Sequence, residues 1–229
     1  MADALELFPR PRRMEQRGPG AARDTSPTVA LDDTLPPEGY RLVIEPSGVT
    51  IGHADDAGRR WALATLAQVR AQFSDTLPGL AISDWPDFAV RGFLLDVSRD
   101  RVPTRETLTW LLEVLETARV NHLQLYTEHA FAYADHEVVW RDASPLTPDD
   151  VRWLDGECAA RGIELAANQN AFGHMERWLR HDDYRHYAEA PHGWTNGWGE
   201  ARAPAVLAPT DASAAFALGL RAELAGRFT

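Results

Sequence analysis

The sequence predicts an α/β protein in two parts: a small α+β N-terminal domain, followed by an incomplete (β/α)8 TIM barrel made of its first three βα units. Three observations carry that expectation. Apolar residues alternate with polar ones near Tyr40–Ile51, they recur every three or four positions near Ala62–Phe73, and beyond Phe88 short apolar runs take turns with longer helical stripes. A chain of 229 residues exceeds most single domains and falls short of a small domain plus a barrel, since a barrel alone needs about 250 residues.

Residues 1–38 read as an N-terminal tail, rich in Pro, Arg and Gly, with room for one edge strand around Arg13–Arg17. Residues 39–87 make the small domain and its linker. Tyr40, Leu42 and Ile44 alternate with polar neighbours, Pro46-Ser47-Gly48 turns the chain, and Val49-Thr50-Ile51 returns it, which is a hairpin pattern. A helix is expected soon after Gly58, because Ala62, Leu66, Val69 and Phe73 line one face. Thr76–Phe88, with Pro78, Gly79 and Pro86, reads as a linker that cannot continue the helix.

Residues 88–229 carry the repeating units. Phe93-Leu94-Leu95 reads as a strand buried on both faces, and Pro103-Thr104 opens a helix with Leu108, Leu111, Leu112 and Leu115 on one side. Leu123–Tyr126 is the second strand. Thr147-Pro148-Asp149-Asp150 starts the next helix with a hydroxyl cap, a first-turn proline and acids at the positive end of the dipole. Gly162 stops it, Ile163–Ala167 forms the third strand, and Asp211–Ala225 the third helix. Three units do not close a barrel, and Arg227-Phe228-Thr229 fall where a fourth strand would start, so the chain reads as truncated.

Composition removes several function classes. With 45% hydrophobic residues, a mean hydropathy of −0.34 and no apolar run near the ~20 residues of a membrane span, no membrane partner is expected. A net charge of −11 argues against a nucleic-acid partner. All 23 basic side chains are arginine, which excludes Schiff-base lysine chemistry and the phosphate-loop lysine. Cys158 is the only cysteine, and the N-terminus lacks a signal peptide's apolar stretch, so a cytoplasmic location is the default. His136-Glu137-Val138-Val139-Trp140 begins like a zinc-protease helix but lacks the second histidine, and no Gly-x-Ser-x-Gly elbow occurs. Neither a metal nor a cofactor is expected.

In βα architectures functional residues gather at the carboxyl ends of the strands. Here Asp96, Ser98, Arg99 and Asp100 follow the first strand, Glu128 and His129 the second, and Asn168, Gln169, Asn170 and His174 the third. Carboxylates, amides and guanidinium groups interleaved with aromatic faces suit the hydroxyls of a sugar ring. Phe131, Tyr133, Trp140, Trp178, Trp194 and Trp198 offer such faces. Each residue also has a plainer reading. By position alone Arg91 is an ion-pair residue, Asp96 a brace for its loop, Glu128 and His129 solvated side chains, Asn168 and Asn170 turn formers, and the tryptophans of residues 192–199 packing for their loop.

Arg91-Gly92-Phe93-Leu94-Leu95-Asp96-Val97-Ser98-Arg99 resembles the first barrel strand of glycoside hydrolase family 20, the β-N-acetylhexosaminidase group. Asn121–Leu125 with Thr127-Glu128-His129 is similar to its second strand, and Asn170-Ala171-Phe172-Gly173-His174 to its third-strand Asp-x-Pro-Gly-His. Gly39–Leu42 and Gly58–Gln68 are similar to the small domain ahead of the barrel. The resemblance implies a carbohydrate substrate ending in N-acetylhexosamine, cleaved with retention: a glutamic acid protonates the leaving oxygen, the substrate's acetamido group attacks, and a neighbouring aspartate orients it. It gives Arg91 the hydroxyls of the terminal sugar, Glu128 a supporting carboxylate role and His174 a link to the acid. Asp96, His129, Asn168, Asn170 and Trp198 are counted as substrate-binding. Asn168, Asn170 and Phe172 stand where the family has glutamate, aspartate and proline, which marks a divergent branch. The family's acid pair is an Asp-Glu after the fourth strand, and no Asp-Glu occurs in these 229 residues. The expectation is therefore a fragment inactive by itself or, alternatively, a non-catalytic carbohydrate-binding or regulatory protein of the same fold.

Overall fold

The computed structural model describes residues 5–99 and 101–228 and divides into two compact units. The first comprises Met1–Arg91 with Thr117–Arg119, the second Gly92–Glu116 with Val120–Thr229. Asp100, one of the strand-end acids, lies outside the described residues.

The first unit is a five-stranded sheet with one long helix, in the chain order β1 (Arg13–Ala22), β2 (Thr28–Leu31), β3 (Tyr40–Glu45), β4 (Gly48–His53), α1 (Asp56–Ala71) and β5 (Thr76–Asp84). The sheet order is β1-β5-β3-β4-β2; β2 runs parallel to β4 and the other pairs are antiparallel. The expected hairpin is β3-β4, with Leu42 opposite Ile51 and Ile44 opposite Val49. Trp61, Ala62, Leu66 and Val69 of α1 share a buried cluster with Leu42, Ile44, Leu80 and Ile82. Each large side chain so buried stabilises the unit by ~1.5–3 kcal/mol.

Three expectations change here. The segment taken as a tail contributes β1 and β2 to the sheet, with β1 at an edge. Thr76–Asp84 is a strand rather than a linker: Leu80 and Ile82 are fully buried, and Pro78 lies opposite Pro19 where the β1-β5 register shifts, a place that tolerates a missing amide. The helix begins at Asp56, ahead of Gly58, because Asp55 Oδ1 accepts the Gly58 amide at 2.8 Å as an N-cap. Gly58 is thus inside the first turn. A Cβ there would stand 2.3 Å from the Gly39 carbonyl oxygen, so only glycine lets the helix close onto the entry to β3.

Residues 117–119 add Arg119 to the first unit. Its guanidinium pairs with Asp84 and donates to Tyr40 Oη at 3.0 Å and Thr65 Oγ1 at 2.8 Å. Burial pushes the Tyr40 phenol up from its ordinary value even though Arg119 pulls the other way.

The second unit contains β6 (Gly92–Asp96), α2 (Arg105–Thr117), β7 (His122–Thr127), α3 (Glu137–Trp140), α4 (Pro148–Ala160), β8 (Glu164–Gln169), α5 (Glu176–Leu179), α6 (Asp182–Arg185), β9 (Trp194–Thr195), β10 (Ala201–Arg202) and α7 (Asp211–Ala225). β6-β7-β8 form a three-stranded parallel sheet, and β9-β10 a separate antiparallel pair. Thr147 and Asp150 close a reciprocal capping box at α4, and Gly162, at φ +68°, ends that helix. Leu108, Leu112 and Leu115 of α2 and Val151, Leu154 and Cys158 of α4 share one buried cluster with Leu123, Leu125 and Leu165 of the sheet.

The other face of the sheet carries Leu94, Gln124 and Ala166 in register, and none of these belongs to that cluster. The expectation that β6 is buried on both faces therefore fails: Phe93 is 39% and Leu94 49% exposed. No helix among the described residues is long and apolar enough to cross a membrane.

Candidate functional site

The parallel register sets Asp96, Tyr126 and Asn168 side by side at the carboxyl ends of their strands. Alternation puts their side chains on the same face as Leu94, Gln124 and Ala166, away from α2 and α4.

Asp96 is held by its own loop: one carboxylate oxygen accepts the Ser98 amide at 2.9 Å and the Arg99 amide at 3.2 Å, and the other pairs with the Arg99 guanidinium. Burial works to raise its pKa, but these donors outweigh it and hold the carboxyl below the usual carboxylate range. Arg99 then reaches across the strand ends, with its guanidinium 4.9 Å from the Tyr126 ring centre, 3.3 Å from Tyr126 Oη and 3.5 Å from Glu128 Oε1. Tyr126 Oη donates to Glu128 Oε1 at 2.9 Å and accepts from Asn170 Nδ2. Burial, helped by the Glu128 acceptor, raises the phenol's pKa. His174 completes the group, with Nδ1 3.6 Å from Glu128 Oε1, within ion-pair reach when the ring is protonated.

Glu128 is fixed from behind through its main chain. Its amide donates to Ser98 Oγ at 2.7 Å, and its carbonyl accepts from Gln169 Nε2 at 2.9 Å and Trp178 Nε1 at 2.7 Å. Tyr133 Oη donates in turn to Gln169 Oε1. The resulting cluster offers a guanidinium, two carboxylates, an amide, a phenol and an imidazole around one spot, which is the donor and acceptor set that grips a polyhydroxylated ring.

Of the residues singled out from the sequence, Asp96, Glu128, Asn170 and His174 come together in this cluster. Asn168 shares the row of Asp96 and Tyr126 but lines a separate pocket with Gln124, Gln169 and Arg221. His129 is buried and lines a cavity of about 980 Å³ that shares Asp96 and Ser98 with the cluster but none of its other members. Trp198 stands apart on the tip between β9 and β10.

Arg91 is not among the residues of this cluster. It immediately precedes β6, at the amino end of that strand. Its guanidinium pairs with Glu38 at 2.6 Å and donates to the Phe88 and Arg119 carbonyls, each at 2.7 Å. The aromatic faces also divide. Phe131, Tyr133 and Trp178 are at most 1% exposed and pack edge to face, so they brace the site and cannot stack on a ligand. Tyr126, Gln169 and Arg99 were underrated by sequence reasoning, though the strand-end rule already pointed at the last two. Among the described residues no group of three or more His, Cys, Asp or Glu could hold a metal ion.

Residues 4–85 match the family model described as glycosyl hydrolase family 20, domain 2. A beta-hexosaminidase of Akkermansia muciniphila is 26% identical over 196 residues, covering 74% of this chain and 38% of the relative. The crystal structure of a beta-N-acetylhexosaminidase superposes with a TM-score of 0.79 at 22% identity, over 97% of this chain and 52% of that one. A family 20 exo-beta-N-acetylglucosaminidase from Vibrio harveyi, in complex with N-acetylglucosamine, gives a TM-score of 0.78 at 16% identity, over 97% of this chain and 45% of that one. At such identities the structural likeness speaks for the fold. The chain spans 38% of the Akkermansia relative and 52% of the first of these structures.

Proposed function

We propose, on the premise that this chain is related to glycoside hydrolase family 20, that its strand-end cluster grips the terminal N-acetylhexosamine of a glycan. The observation that carries the reading is the convergence of Arg99, Asp96, Tyr126, Glu128, Asn170 and His174 on one spot at the ends of three parallel strands. On this reading β6-β7-β8 with α2, α4 and α7 are the first three units of a (β/α)8 barrel. Arg99 replaces Arg91 as the donor to the sugar's hydroxyls, since its charge is already oriented by Asp96 and carried over Tyr126. Asp96 and Glu128 accept from ring hydroxyls, and Asn170 offers both a donor and an acceptor.

The hydrolysis proposed for the complete site is substrate-assisted and retaining. The acetamido oxygen attacks the anomeric carbon as a carboxylic acid protonates the leaving oxygen, and water then opens the ring-fused intermediate. That step needs a protonated carboxyl against the glycosidic oxygen. Asp96 is committed as a carboxylate by its donors, and the sequence contains no Asp-Glu pair, which supports reading this chain as the part that binds the sugar and not the part that cleaves it. A second reading is a non-catalytic carbohydrate-binding protein; both readings share the grip.

Calorimetric titration with N-acetylglucosamine tests it. Arg99→Ala is expected to weaken binding about tenfold or more, the worth of a charge-assisted hydrogen bond. Arg91→Ala is expected to leave affinity unchanged and to lower stability, because Glu38 loses its counter-ion and keeps only the Trp61 indole as a side-chain donor. Equal affinity in wild type and Arg99→Ala would remove the assignment, and efficient release of a chromogenic aglycone from an N-acetylglucosaminide by this chain would overturn the missing-acid argument.

A further inference from the structure

The tip between β9 and β10 is built with more care than a connecting loop requires. Asn196 is only 8% exposed; its Oδ1 accepts the amides of Trp198 at 3.0 Å and Glu200 at 2.9 Å, and its Nδ2 donates to Glu200 Oε2 at 2.8 Å. The main chain adds Asn196 N to Glu200 O at 2.9 Å and Gly199 N to Asn196 O at 3.0 Å. Gly199 sits at φ +81°, and Gly193 at φ +80° where a Cβ would lie 2.4 Å from the Arg202 carbonyl oxygen. The turn is therefore specified residue by residue, and what it presents is an indole: Trp198 is 88% exposed. Trp194, 52% exposed, stands on β9 opposite Arg202, which is paired with Glu200. Two open aromatic faces beside a solvent-exposed carboxylate and guanidinium form an amphipathic surface.

The hairpin is tied to the strand-end cluster. The chain leaving β10 bonds directly to the loop that carries His174, through Met175 N to Ala205 O at 3.0 Å and Leu207 N to Phe172 O at 2.8 Å. Phe172 and Val206, 66% and 42% exposed, lie on that connection. The segment that follows the hairpin is thus bonded to the loop that carries His174, and both present exposed apolar side chains.

We propose that the Trp194–Trp198 hairpin is an extended subsite for an oligosaccharide, stacking on the second and further sugars of a chain whose terminal residue lies in the strand-end cluster. The placement rests on the sugar-binding reading of that cluster. Pyranose rings present an apolar face and equatorial hydroxyls at once, which matches an indole flanked by Glu200 and Arg202.

Titration of the whole chain with N-acetylglucosamine and with its β-1,4-linked trimer separates the possibilities. The trimer is expected to bind about tenfold more tightly than the monosaccharide. Trp198→Ala and Trp194→Ala, both at exposed positions, are expected to bring the trimer down to the monosaccharide's affinity, with monosaccharide binding and the unfolding midpoint unchanged. Trimer binding that depends on Trp198 with no monosaccharide binding would keep the subsite and remove the terminal-sugar reading. Unchanged trimer affinity in both variants, loss of self-association in Trp198→Ala without an effect on sugar, or binding of neither sugar would overturn the subsite.

Discussion

Arg91 and Arg99 flank the same strand, and their surroundings decide what each can do. Arg91 is absorbed by Glu38 and three carbonyls, while Arg99 is braced by Asp96 and left 57% exposed beside Glu128. Neighbouring sequence does not distinguish them, because both border an apolar run; only the direction of the strand tells which end carries chemistry. Asp96, Glu128, Asn170 and His174 were legible for that reason, as residues just past strand ends. Tyr126 was harder to see, since inside a strand an aromatic reads as packing. Arg119 is the most consequential single arginine of the first unit. With Asp84 7% and Arg119 13% exposed, Arg119→Ala leaves a buried carboxylate unpaired and is expected to cost ~3–5 kcal/mol in a urea titration. His136 gives the pH signature. It accepts from or donates to Tyr184 Oη at 2.7 Å among the rings of Tyr133, Trp178 and Phe216, and burial lowers its pKa below the ordinary 6.5 against the upward pull of Glu223 and Asp135. A lowered folded value means stability is fully present above the unfolded pKa and is lost as pH falls through the folded one. The unfolding midpoint is expected to decline below about pH 6.5, and less steeply in His136→Gln.

At the scale of elements, periodicity was a good guide wherever one face is buried against one partner. β3, β4 and α2 appear where alternation or the helical stripe put them, α4 where its cap signals did and α7 over the expected range, while α1 starts ahead of its expected place. β5 was hidden by Pro78 and Gly79, whose usual meaning is a break, although Leu80, Ile82 and Asp84 alternate inward behind them. β6 misled in the opposite sense, because three consecutive apolar residues imply two covered faces and the described residues supply one. Gly58 shows why α1 starts where it does: the glycine marks close approach to Gly39, not the end of a loop. Gly58→Ala is expected to destabilise the first unit by ~1–3 kcal/mol, read as a lower urea midpoint with an unchanged slope.

At the scale of the whole chain, the first unit closes a core of its own; among the described residues of the second, β6 and β8 are the edges of the parallel sheet, and Leu94, Gln124 and Ala166 lie outside the buried cluster, with Leu94 exposed and the other two half-buried. That row and the polar cluster share a face of the sheet. That the cluster holds a sugar is the claim on which the rest stands. The direct measurement is a set of proton–nitrogen correlation spectra of the chain during titration with N-acetylglucosamine. Saturable shifts are predicted at the Arg99 Nε–H and at the amides of Glu128, Asn170 and His174, with the Arg91 Nε–H unmoved; shifts at Arg91 without the Arg99 group, or none anywhere, would contradict it.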